Sequence, residues 1–181
     1  MHVAIVGAGA LGSVYGFHLL AQHDVSFVVR PETADPAHKV NITIEHASAP
    51  GRTPKPTNAP RLLTTIPNDA DVVMVALRAE HLTAEVFSRI GPIDLEVPVV
   101  ILAPLMPATL ARLEETLKRR IVAAMPGVVA YQANEGEPTT RHISYWTPRI
   151  APTWIERPLA TDGQQKSRRV SALVQALVAS G

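Results

Sequence analysis

Near its start the chain reads "HVAIVGAGALGSVYG" (His2 to Gly16), and no other stretch limits the fold as much. His2 to Val6 is a short apolar run, the pattern of a strand buried on both faces of a parallel sheet. It stops at a glycine. From Ala10 to His23 the spacing of Leu11, Val14, Tyr15, Leu19 and Leu20 is helical, and "DVSFVVR" (Asp24 to Arg30) returns to strand character. Strand, tight turn, helix and strand within about 30 residues make a βαβ unit.

The turn itself has the form G-x-G-x-x-G, with Gly7, Gly9 and Gly12. Alone the pattern is weak; after a buried strand and at the start of a helix it gains meaning. Gly7 permits the turn out of the strand. Gly9 has no side chain to hold a pyrophosphate off the backbone. Gly12 lets the helix pack close, with its first N–H groups aimed at phosphate oxygens. The bland reading is a plain glycine-rich turn. The end of the second strand speaks to which dinucleotide would sit there. An acidic residue at that point accepts from the ribose 2′-OH of NAD, but this chain has Arg30, whose guanidinium suits a 2′-phosphate. NADP(H) is therefore expected over NAD(H); the alternative is a solvated arginine partly neutralised by Glu32.

The strand–helix alternation continues. "DVVMVAL" (Asp71 to Leu77), "VPVVIL" (Val97 to Leu102) and "RIVAAMP" (Arg120 to Pro126) read as strands. One helix carries Leu82, Val86, Phe87 and Ile90 on a face, another Leu110, Leu113 and Leu117, and a last one runs from Gln164 to Ser180. The stretch 31–60 is irregular and Pro-rich, with "VNITIEH" as a small strand and "GRTPKPTNAPR" as an exposed excursion. Residues 127–157 form shorter β-like pieces, expected as an antiparallel extension. The expected fold is α/β, a Rossmann-like, doubly wound and mostly parallel sheet in a single domain over residues 1–181.

Composition removes several function classes. The 181 residues carry 17 basic and 16 acidic side chains, so no net field favours nucleic acid. The basic run Lys118 to Arg120 reads as a solvated helix C-terminus. With no cysteine there is no disulfide, thiolate nucleophile or zinc–thiolate site. No leader pattern and no apolar run of about 18 residues occurs, so a soluble cytoplasmic protein with no membrane partner is expected. His18 and His23 lie five apart and share no helix face, and no metal site is expected. Nothing resembles a hydrolase nucleophile motif. Tyr131, His142, Tyr145 and Trp146 in the late β region read as packing residues rather than as substrate contacts.

"IVGAGALGSVYG", "VVRPE" and "DVVMVALRAEHL" together resemble the N-terminal domain of ketopantoate reductases (2-dehydropantoate 2-reductases), and the resemblance runs with gaps over the whole chain. It implies an enzyme that reduces a 2-keto acid with NADPH. The cofactor residues it implies are Gly7, Ala8, Gly9, Ala10, Leu11, Gly12, Arg30, Leu77 and Arg78, and Arg78 is also the one catalytic candidate. Arg78 stands where the family has a lysine and His81 where it has a glutamine. Pro104 stands at the family's asparagine, and Leu105 and Pro107 replace glycines, so that loop loses its usual polar contacts. The family's C-terminal helical domain, which implies a catalytic lysine, a substrate-binding carboxylate and part of a dimer contact, has no counterpart in these residues. Two readings stay open: the NADP(H)-binding part of a keto-acid reductase, or a degenerate module that binds NADP(H) without turnover. Apolar surface left without its helical neighbour predicts a homodimer.

Overall fold

The computed structural model describes residues 1–35, 41–49, 60–133, 140–148, 150–157 and 163–179. The elements are β1 (His2–Val6), α1 (Ala10–Leu19), β2 (Asp24–Val28), α2 (Pro31–Ala34), β3 (Asn41–His46), β4 (Arg61–Leu63) and β5 (Val72–Val75). They continue with α3 (Ala84–Arg89), β6 (Val99–Leu102), α4 (Pro107–Leu117), β7 (Val122–Met125), β8 (Val129–Ala133), β9 (Thr140–Trp146), β10 (Trp154–Ile155) and α5 (Gln164–Ala179).

Seven strands form the main sheet in the order β10-β7-β6-β5-β1-β2-β4. All its pairings are parallel except that of β10 with β7. The chain winds outward from β1 through β2 to β4, then crosses back to lay β5 on the other side of β1. This reversal opens a crevice beyond the carboxyl ends of β1 and β5, the usual place for a ligand in such sheets.

Both faces of the sheet are covered, which is why its strands are apolar throughout rather than alternating. Val3, Ile5, Phe27, Met74, Val100 and Leu102 pack toward α1 and α5, meeting Tyr15, Leu19, Val170 and Leu173. Ala4, Val6, Val28, Val73, Val75, Val99 and Ile101 pack toward α3 and α4, meeting Phe87 and Leu113. The fold is the expected Rossmann-like α/β sheet.

The late β region departs from expectation. Only β10 extends the main sheet. β8 and β9 instead build a second sheet of order β3-β9-β8, in which β3 runs parallel to β9 and β8 antiparallel to it. This sheet lies on the outer side of α1, where Val14 packs with Ile44, Ile143 and Tyr145. Helix α1 is thus buried on two sides, and its sequence is apolar nearly all round for that reason. The strand "NITIEH" forms as read. It pairs with a segment about 100 residues away, and local sequence carries no trace of such a partner. The excursion over 51–59 lies outside the described residues.

Strand β4 falls within a stretch read as irregular; its three residues pair with β2 at the sheet edge. The helix read through Leu82 is a 3-10 turn at Ala79–His81 followed by α3, which Thr83 caps by accepting from the Val86 N–H. Of the basic run only Lys118 is a solvated helix end. Lys118 terminates α4 in the left-handed conformation, with φ of 50°. Arg119 turns back to donate to the carbonyls of Ile93, Asp94, Leu95 and Val97, and Arg120 pairs with Glu156 at 2.7 Å.

Candidate functional site at the glycine turn

The crevice beside β1 is built by backbone before side chains. Gly7 leaves the strand with φ of 102°, a region that any Cβ would strain. Its N–H donates to the Val28 carbonyl at 3.0 Å, holding the turn to the end of β2. A Cβ on Gly7 would meet the Leu77 side chain at 2.8 Å and the Ala76 carbonyl at 3.0 Å, so the residues leaving β5 press directly against the turn. A Cβ on Gly12 would lie 2.0 Å from the Gly7 carbonyl oxygen. Helix and turn are in contact with no room between them.

Gly9 is different. It caps α1 without a side-chain hydrogen bond, is exposed, and a Cβ there would meet nothing within 4 Å. Packing therefore does not require a glycine at position 9. What its absent side chain leaves is an open approach to the first N–H groups of α1, the feature a pyrophosphate would use. Ser13, fully buried, donates through Oγ to the Ala8 carbonyl at 3.3 Å and fixes the turn from beneath. The sequence reading missed this residue, although a hydroxyl directly after the third glycine is a visible signal.

The other expected site residues divide by what they do. Ala8 is buried in the main core, and Ala10 and Leu11 pack against core clusters, so their side chains face protein. Only their backbones are available to a ligand. Arg30 follows the last residues of β2, is exposed, and its carbonyl accepts from the Thr33 and Ala34 N–H groups as α2 begins. It stands beyond the carboxyl edge of the sheet, on the same side as the glycine turn.

Leu77 and Arg78 leave β5 at the crevice. Leu77 is half-buried beside Gly7. Arg78 has a side chain 82% exposed, with its guanidinium 3.9 Å from the Glu80 carboxylate. Beyond β6, Pro104 and Met106 are exposed and Leu105 half-buried. Pro107 is not a loop residue: it occupies the first turn of α4, where a missing N–H costs nothing and its fixed φ suits the helix. Glycine need not have stood there for the chain to turn. The mouth of the crevice on this side is apolar, with Met106 at its tip.

The aromatic candidates separate as well. Tyr145 points inward onto α1 and is buried. Tyr131 and His142 share the outer, exposed face of the second sheet, with His142 Nδ1 2.8 Å from Thr43 Oγ1, and Trp146, also exposed, ends β9. They lie on β8 and β9, apart from the strand ends that line the crevice. Among the described residues no group of three or more His, Asp or Glu side chains is placed to hold a metal ion, and no helix is long and apolar enough to cross a membrane.

Fold and turn together define a Rossmann-like α/β domain with an open helix N-terminus at its switch point. The model of the family described as ketopantoate reductase PanE/ApbA matches residues 3–143, and the chain belongs to that family. No curated protein matches. Among solved structures it is similar to a PanE/ApbA family ketopantoate reductase from Ralstonia eutropha, with 20% identity, 98% of this chain and 54% of that one covered, and a TM-score of 0.65. It is also similar to 2-dehydropantoate 2-reductase from Methylococcus capsulatus, at 15% identity, 100% and 55% coverage, and a TM-score of 0.66. A D-mandelate dehydrogenase solved with NADH matches at 17% identity, 100% and 53% coverage, and a TM-score of 0.58. The chain spans about half the length of the structures it matches.

Proposed function

We propose that this chain is the NADP(H)-binding part of a ketopantoate-reductase-like oxidoreductase, acting on a 2-keto acid such as 2-dehydropantoate. The observation that carries the reading is Gly9: open space at a helix N-terminus, between a turn locked by Gly7 and Gly12 and an exposed Arg30. The residues fit a dinucleotide. The backbone from Gly7 to Gly12 would hold the pyrophosphate, and Arg30 would take a 2′-phosphate through paired charge-assisted donors. Leu77 would pack beside the cofactor where β5 ends. Arg78, exposed just beyond the end of β5, would hold its positive charge toward a carboxylate or a developing alkoxide.

The bound cofactor would supply a hydride to the keto carbon, with the alkoxide taking a proton to give the 2-hydroxy acid. Nothing in the loop after β6 donates a side-chain hydrogen bond, since Pro104, Leu105 and Met106 have no such group. That observation favours a second reading, a module that binds NADP(H) without turnover. A homodimer, or association with a helical partner domain, belongs to the same proposal.

Fluorescence titration with NADPH and NADH tests the cofactor. NADPH is expected to bind at least about tenfold tighter, with the preference lost in Arg30→Ala and stability unchanged, because the side chain is exposed. If neither nucleotide binds, both readings fall. If NADPH binds and no 2-keto acid is turned over even when the chain is joined to a family C-terminal helical domain, the binding module stands.

A further inference from the structure

A groove of about 660 Å³ lies between the second sheet and α5, floored by α1. It is a different place from the glycine turn. Val14 and His18, which line it, lie five and nine residues beyond Gly9, about 7 to 14 Å along the helix axis at the usual rise. Its volume falls within the roughly 300–1,000 Å³ range of small-molecule sites, and its lining has the usual division into an apolar body and a few converging polar groups.

Helix α5 supplies the body through Val174, Leu177 and Val178, opposed by Val128 and Ile155. Val174 and Val178 are 36% and 76% exposed among the described residues. The polar groups come from the ends of β3 and β9. The Ser48 N–H donates to His46 Nδ1 at 3.3 Å, which requires a lone pair on that nitrogen and places the ring hydrogen on Nε2. Nε2 then donates to Thr147 Oγ1 at 3.2 Å. A hydroxyl that accepts one bond keeps its own proton to donate, and Thr147 faces the groove. On the α1 side, His18 Nε2 lies 3.1 Å from the Tyr145 hydroxyl. Both imidazoles stand edge-on to the Tyr145 ring, which holds them in place.

No carboxylate lines this groove among the described residues. A cationic head would meet no counter-charge there, whereas an anionic head would meet the Thr147 hydroxyl donor. We propose that the groove is a second ligand site, taking an amphipathic molecule with one carboxylate head and an apolar tail of aliphatic or aromatic type. The head sits at Thr147, and the tail lies along α5. The proposal is independent of the cofactor reading, because none of the glycine-turn residues lines the groove.

Trp146 lines the groove and reports on it. The chain has two tryptophans, so Trp154→Phe leaves Trp146 as the single emitter. In that background octanoate, octanol and octylammonium are titrated below their aggregation concentrations. Octanoate should shift the emission saturably and bind at least about tenfold tighter than octylammonium. Val178→Glu, an exposed change that brings a carboxylate to the groove, should weaken octanoate at least about tenfold and octanol far less. Thr147→Val, which keeps shape and removes the donor, should weaken octanoate selectively. Absence of a saturable shift, equal binding of octylammonium, or indifference to Val178→Glu would each overturn the proposal.

Discussion

A methyl group on Gly12 would sit 2.0 Å from the carbonyl oxygen of Gly7, whereas one on Gly9 would touch nothing within 4 Å. Two glycines of one motif thus answer to different constraints, the first to packing and the second to a space the protein leaves open.

This contrast separates folding from binding. Gly12→Ala drives a Cβ into backbone that cannot step aside, and it should cost about 3 kcal/mol or more, at the upper end of overpacking effects. Gly9→Ala adds a methyl to open space at a helix cap and should leave the unfolding midpoint within about 0.5 kcal/mol of the parent. It should nevertheless weaken NADPH, because the methyl would stand where the proposed site receives the phosphates. Urea unfolding and nucleotide titration on both variants check the pair. A Gly9→Ala protein that binds NADPH as the parent does would sink the phosphate assignment.

Arg119 offers a second test, away from the site. Its guanidinium donates to the carbonyls of Ile93, Asp94, Leu95 and Val97, closing the loop between α3 and β6. Burial pulls its pKa below the ordinary arginine value, opposed by the nearby Asp94 and Glu96. Arg119→Ala removes the donor from the part-buried bonds to the Ile93 and Val97 carbonyls, a loss of about 1–3 kcal/mol. Arg119→Lys should rescue little, because a single ammonium cannot span a fan of four acceptors as a planar fork does. Recovery of full stability in the lysine variant would show that charge, not geometry, matters here.

How much of this was legible beforehand follows the range of the interactions. The βαβ start, the central strands β1, β2, β5, β6 and β7 of the main sheet and the glycine turn were readable because each rests on spacing within a few residues. The placement of β3 was not. Its partner β9 lies about 100 residues on, and the alternation of "NITIEH" says only that one face will be covered. Arg119 was misread for a related reason: Lys118 to Arg120 look like dipole-matched cations, but a left-handed Lys118 reverses the chain and turns the next side chain inward. Ser13 sat in plain view beside Gly12. A buried hydroxyl under a turn has no periodicity to announce it.

Stability should fall toward both acid and alkaline pH, for reasons that trace to named groups. Burial holds the Tyr15 hydroxyl above its ordinary pKa of 10.0, partly offset by the Thr153 hydroxyl at 2.5 Å and the Gly127 backbone. Burial likewise raises Tyr145. The unfolded chain therefore loses these protons first, and stability falls as pH rises through 10.0 and beyond. His23 shifts the other way. Its burial, helped by the positive N-terminus and opposed by Asp24, lowers it from 6.5, so the unfolded chain gains the proton first. Stability is then lost as pH falls below 6.5. Urea midpoints measured from pH 5 to 11 should trace an arch. His23→Gln should flatten its acid limb and Tyr15→Phe part of its alkaline limb. An acid limb unchanged by His23→Gln would mean that carboxylates alone set it.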